Sequence, residues 1–168
     1  YLASLSLLFS DCYENFEQKT TNNFVLVVDQ SGSMSGSPIS DAKIGVKNFI
    51  NNLKPNDRAG IVLFNSKVSV LHDFSSNKSS LNSAASKINA GGGTALYDAI
   101  AKAASMLIQQ EGSKIIIFLS DGEDTGSKFK VSNLRSMNIS ENIFVYGIGL
   151  GDINKNTLKK IVQATEGD

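Results

Sequence analysis

The chain contains the run Phe24-Val25-Leu26-Val27-Val28, and the segment Asp29-Gln30-Ser31-Gly32-Ser33 follows it directly. A continuous run of β-branched and aromatic residues is typical of a parallel strand that is buried on both faces. The polar segment carries oxygen-bearing side chains at alternate positions, which predicts a loop at the carboxyl end of this strand. Because open parallel sheets bind their ligands at that end, this loop is the first place to look for a functional site.

Strands and helices alternate along the rest of the chain. We expect strands at residues 60–64, 115–119 and 143–148, and a strand at 68–72 that forms a hairpin with the preceding one. Helical periodicity predicts a helix that begins at Ser37-Pro38, with Ser37 as its cap, and further helices near residues 81–88, 94–108, 131–134 and 158–162. This order predicts an α/β fold, Rossmann-like and doubly wound, with a mostly parallel central sheet, one antiparallel edge strand and helices on both faces.

Composition excludes several classes of protein. The chain has 168 residues, 41% of them hydrophobic and 19% charged, as expected for one globular domain. Its 16 basic and 16 acidic residues balance to a net charge of zero, so we expect no nucleic-acid partner. The single cysteine, Cys12, excludes an internal disulfide.

Domain organisation is predicted from the two ends of the sequence. Residues 1–22 are an N-terminal extension in which a helix is favoured over a strand, and residues 23–168 are the main domain. No apolar run is long enough to predict a membrane span. The chain begins with Tyr1 rather than Met, which favours the interpretation that it is a domain excised from a larger protein.

Three separate loops are predicted to bring oxygen ligands to one edge of the sheet. The first contains Asp29, Ser31 and Ser33, the second contains Thr94 after a glycine triplet, and the third contains Asp121. Hydroxyl and carboxylate oxygens suit Mg²⁺, Mn²⁺ or Ca²⁺. We expect the three hydroxyls to bind the ion directly, and the two carboxylates to act directly or through water. Neutral ligands leave the ion electrophilic, so it would attract a carboxylate from outside the protein.

These motifs resemble the metal-ion-dependent adhesion site (MIDAS) of von Willebrand factor A (VWA) domains. The residues within the motifs resemble most those of bacterial members. The resemblance covers about residues 23–168, with matching segments at 27–34, 92–100, 119–125 and 145–151. It implies a magnesium-binding module for cell adhesion or other protein binding, whose protein partner offers an Asp or Glu. Family members often continue with another strand and a C-terminal helix, which the resemblance implies are missing after Asp168.

Residues around the metal ligands have two interpretations. Met34, Tyr97 and Glu123 are candidates for a rim that touches the partner, although Met34 and Tyr97 could equally pack inward. For Glu123 and Asp124, solvation at the surface is favoured over a second metal site, and for Asp98 solvation of the helix surface is favoured.

Function is predicted to be binding rather than catalysis. One alternative is a scaffold subunit of a chelatase- or ATPase-linked complex, and a less favoured one is a metal-dependent phosphatase. Against the phosphatase, Ser31 stands where a second Asp would be expected, and no Lys directly follows the strands that end at Val28, Leu119 and Ile148. An extracellular or periplasmic location is favoured over the cytoplasm, and the sequence indicates no oligomeric state.

Overall fold

A computed structural model describes residues 21–122, 124–136, 142–150 and 161. Five strands lie within these residues: β1 (Asn22–Asp29), β2 (Arg58–Phe64), β3 (Val68–Ser75), β4 (Ser113–Ser120) and β5 (Ile143–Gly149). The helices are α1 (Ser37–Asn51), α2 (Lys78–Ala85), α3 (Leu96–Leu107) and α4 (Val131–Ser136), and a 3-10 turn spans Gly32–Met34. Within the described residues, no helix is both long and apolar enough to cross a membrane.

The sheet has the strand order β3-β2-β1-β4-β5. β1 pairs in parallel with β2 on one side and with β4 on the other, and β4 pairs in parallel with β5. Only β3, at the edge, is antiparallel among the strands described. The prediction of a mostly parallel sheet with one antiparallel edge strand is confirmed.

Helices pack on both faces of the sheet because the strand side chains alternate between two cores. On one face, Val25 and Val27 of β1 pack with α3 and with Leu134 of α4. On the other face, Leu26 and Val28 pack with α1 and α2. The predicted doubly wound architecture is therefore confirmed.

One prediction about a helix cap needs correction, and two predictions near the ends of the chain fall largely outside the described residues. The cap of α1 is Gly36 rather than Ser37, because Ser37 is already the first helical residue and Pro38 follows it in the first turn. Of the predicted helix at 158–162, only Ile161 is described; it is helical and buried on the α3 face. The prediction for the extension lies almost wholly outside the described residues, which begin at Thr21.

Candidate metal centre

Asp29 organises the loop that follows β1. Its side chain is completely buried, and its Oδ1 accepts a hydrogen bond of 2.7 Å from the backbone N–H of Ser31. Its Oδ2 accepts a hydrogen bond of 2.6 Å from the Ser120 hydroxyl at the end of β4. The turn held in this way places the hydroxyl oxygens of Ser31 and Ser33 3.0 Å apart. The buried Asp29 carboxylate therefore holds the loop in place from inside the protein. Ser33, on the same loop, is exposed at the surface.

The glycine triplet attaches a second loop to the first one. The Gly32 N–H donates to the Gly92 carbonyl at 2.8 Å, and the Gly91 N–H donates to the Gln30 carbonyl at 2.6 Å. Gly91 and Gly92 have φ values of 155° and 98°, which residues with a Cβ atom rarely adopt. The triplet is thus more than a flexible connector, because its backbone places Thr94 beside the serine loop.

Thr94 connects the second loop to the third. Its carbonyl accepts hydrogen bonds of 2.9 Å from the N–H groups of both Thr125 and Gly126. Sequence periodicity placed Thr94 at the start of a helix, but α3 begins two residues later at Leu96, with Ala95 as its cap. The side chain of Thr94 therefore extends from the loop before the helix.

Asp121 comes directly after β4 and is partly exposed. Its negative charge is close enough to raise the pKa of the Asp29 carboxyl, an effect that adds to the larger one of burial. The hydrogen bonds from Ser120 and Ser31 oppose this rise by stabilising the ionised form. A bound cation would offset the repulsion between the two carboxylates.

The donors at this edge fit a hard divalent cation. Adjacent oxygens on an ion with six ligands at about 2.0–2.1 Å lie about 2.9 Å apart. The hydroxyls of Ser31 and Ser33 form a hydrogen bond of 3.0 Å, and two adjacent ligands of such an ion can keep that separation. Neither the Thr94 hydroxyl nor the Asp121 carboxylate is hydrogen-bonded to another described residue, so both could act as ligands. No three His, Cys, Asp or Glu side chains cluster in the described part of the chain, so hydroxyls form most of this donor set.

The structure bears on two of the three predicted rim residues, Met34 and Tyr97. Met34 is 0% exposed and packs in the core beneath α1, so it is not part of the rim, and the inward-packing alternative is the correct one. Tyr97 is half-buried against the α3 core, and burial and then the negative charge of Asp124 raise its pKa. Glu123 lies outside the described residues.

Sequence reasoning missed the structural roles of Ser120, Asp98 and Asp124. Ser120 is fully buried and holds Asp29, and its position directly before Asp121 was the available signal. Asp98 accepts hydrogen bonds from the N–H groups of Lys128 (3.1 Å) and Phe129 (2.8 Å). Asp124 accepts one from the Tyr97 N–H at 3.3 Å. These two acids lie partly exposed, and beyond the predicted solvation both anchor the loop after β4 to α3.

Comparison with known proteins identifies the family. A profile of the von Willebrand factor type A domain matches residues 24–123, from β1 to the loop that carries Asp121. Inter-alpha-trypsin inhibitor heavy chain H2 of Mesocricetus auratus is 26% identical over 162 residues, which cover 86% of this chain and 17% of that protein. A von Willebrand factor A domain-containing protein of Dictyostelium discoideum is 30% identical over 165 residues, which cover 95% of this chain and 17% of that protein. The chain thus spans less than a fifth of the length of these relatives.

Solved structures agree on the fold. The crystal structure of manganese-loaded Plasmodium vivax TRAP protein superimposes with a TM-score of 0.72 at 22% identity, covering 84% of this chain and 62% of that chain. Such a likeness shows a common fold alone, and the bacterial type predicted from the sequence stays a prediction. Because the family profile spans more than half of the chain, the chain belongs to the von Willebrand factor type A domain family.

Proposed function

We propose that this chain is a metal-dependent protein-binding module. In this proposal, Ser31, Ser33 and Thr94 bind a divalent cation directly, and an acidic side chain of a partner protein completes its coordination. The observation that carries the proposal is the pair of hydroxyls 3.0 Å apart, at an edge where Ser33 is exposed. A partner's carboxylate could approach the ion from that side.

The two carboxylates have different parts in this proposal. Both oxygens of Asp29 already accept hydrogen bonds, from the Ser31 N–H and the Ser120 hydroxyl. This favours a contact with the ion through water. Asp121 has no such partner within the described residues and is partly exposed, so it can bind directly or through water. The ion would be Mg²⁺, with Mn²⁺ or Ca²⁺ as alternatives, since all three prefer oxygen ligands.

Binding is a better proposal than catalysis for this set of residues. The Ser31 hydroxyl is paired with Ser33 rather than with a histidine or lysine that could remove its proton. His72 lies on the edge strand β3, where its Nδ1 is 2.7 Å from the carbonyl of Asp73. The manganese-loaded state of the TRAP structure supports a divalent cation in a protein of the same fold. An extracellular or periplasmic location, and the alternative of a scaffold subunit, stay predictions.

Partner selection in the presence of metal tests the proposal. A displayed peptide library would be selected on the whole chain in Mg²⁺, and the binders would then be measured by biolayer interferometry. We expect them to contain an Asp or Glu, and to lose binding in EDTA and on a Thr94→Val variant, which lacks the hydroxyl but keeps nearly the same volume. Thr125→Val, at an exposed neighbouring threonine, is the matched control and should bind normally. Binders that are indifferent to EDTA and to Thr94→Val would contradict the proposal.

A further inference from the structure

The loop after β4 lies along the first turn of α3. Besides the bonds from Thr125 and Gly126 to the Thr94 carbonyl, Asp124 accepts a hydrogen bond from the Tyr97 N–H at 3.3 Å. The first N–H groups of a helix have no partner within the helix, and at this helix the loop supplies partners for two of them, those of Tyr97 and Asp98. The N-cap residue Ala95 makes no side-chain bond of this kind, so the loop takes over part of the capping.

Asp98 and Ser127 form a reciprocal clamp between the loop and α3. The Asp98 N–H donates to the Ser127 hydroxyl oxygen at 3.1 Å. In the other direction, the two carboxylate oxygens of Asp98 accept from the N–H groups of Lys128 (3.1 Å) and Phe129 (2.8 Å). The Ser127 hydroxyl in turn donates a short hydrogen bond to Asp124. The side chains of Asp98 and Ser127 thus form hydrogen bonds between the loop and α3, and none of these bonds is to a proposed metal ligand.

The clamp joins two segments that each carry a proposed metal ligand. Thr94 lies two residues before the start of α3, and Asp121 begins the loop that the clamp holds. Residues 121–130 lie between β4 and α4 and contain no helix or strand among the positions described. A loop without helix or strand loses conformational entropy when a bound ligand orders it. Contacts that order the loop before the ligand binds reduce this entropic cost of binding.

We propose that Asp98 and Ser127 are positioning residues for the metal site. They fix residues 124–129 on α3, and in this way they set the separation between the Thr94 hydroxyl and the Asp121 carboxylate. Neither residue binds the ion in this proposal, which rests on the proposed function. Partners that orient metal ligands typically change metal affinity by about 10–100-fold when they are removed.

Mn²⁺ titration of two variants tests the positioning role. We expect Ser127→Ala and Asp98→Asn each to raise the Kd for Mn²⁺ by about 10-fold or more, measured by electron paramagnetic resonance. Ser127→Ala changes no charge, so its effect would come from position alone. For Asp98→Asn, the effect should persist in 0.5 M KCl, because added salt screens a purely electrostatic contribution.

Hydrogen exchange of the metal-free protein gives a second readout. The N–H groups of Lys128 and Phe129 should exchange slowly in the wild type and faster in both variants. Asp73→Ala is the matched control. The Asp73 carboxylate also accepts a backbone hydrogen bond, of 2.7 Å from the Phe74 N–H, but it lies on the edge strand β3. It should leave the Kd unchanged.

The outcomes separate this inference from the proposed function. A wild type that binds Mn²⁺, with both variants within twofold of its Kd, would overturn the positioning role and leave the metal site intact. A wild type that does not bind Mn²⁺ would overturn both.

Discussion

Replacing Asp121 with alanine is expected to weaken Mn²⁺ binding by about 100-fold or more, since even indirect supports of a metal site typically contribute about 10–100-fold. The fold should be unaffected. Asp121 is partly exposed and has no hydrogen bond to another described residue, so its removal leaves no buried group unpaired. Loss of its charge also removes a repulsion that raises the pKa of Asp29. The free energy of unfolding should therefore change by no more than about 0.5 kcal/mol.

Isothermal titration with Mn²⁺ and urea unfolding of the same samples measure the two quantities. Asp41→Ala, which removes an exposed carboxylate from α1, is the control for the change in net charge. It should bind Mn²⁺ as the wild type does. If Asp121→Ala bound with wild-type affinity, Asp121 could not be a ligand of the ion.

Replacing Phe118 with alanine is expected to destabilise the fold by about 3–5 kcal/mol, the usual cost of emptying a buried aromatic site. Phe118 lies on β4, is 0% exposed and belongs to the core beneath α3. Since small domains are stable by only about 5–15 kcal/mol, this one change should remove a large part of the total. Urea unfolding followed by circular dichroism measures the effect.

Phe144→Ala on the neighbouring strand β5 is the matched control. Phe144 is 61% exposed and faces the side of the sheet opposite to Phe118, so its loss should cost less than about 1 kcal/mol. Equal losses at the two positions would contradict the assignment of Phe118 to the core.

Most of the fold could be predicted because buried strands and amphipathic helices leave strong periodic signals. The apolar runs at 24–28 and 115–119 gave the two central strands, β1 and β4, each extended in the structure by polar or small residues at its ends. The hairpin at Asn65-Ser66 placed β3 at the edge, as the structure confirms. These signals depend on residues that are near one another in the sequence.

Contacts across the fold could not be predicted in the same way. Asp98 looked solvated because its helix neighbours gave no partner, whereas its partners lie some thirty positions away, at Lys128 and Phe129. Gly147 lies on the predicted strand 143–148, and no neighbour in the sequence indicates that a Cβ atom there would lie 2.5 Å from the ring of Phe118. For Met34 the sequence left rim and core equally open, and the structure decides for the core, where the buried side chain follows from the 3-10 turn.

The candidate site was predictable in its members but not in its internal supports. The predicted order of strands placed the five proposed ligands on loops at one edge, and the structure brings these loops together through backbone hydrogen bonds such as Gly32 to Gly92. Ser120, which fixes Asp29 from β4, is an ordinary strand-end serine in the sequence. Only the pairing of β1 with β4 places it beside Asp29.

The central claim is that the carboxyl edge of the sheet binds one divalent cation. The most direct test is a Mn²⁺ titration of the metal-free wild-type chain, read by electron paramagnetic resonance, with Mg²⁺ as competitor. We predict saturable binding of one Mn²⁺ per chain that Mg²⁺ displaces, and a further gain in affinity when a peptide bearing an Asp or Glu is present. A signal that stays that of free Mn²⁺ throughout, with or without such a peptide, would contradict the claim.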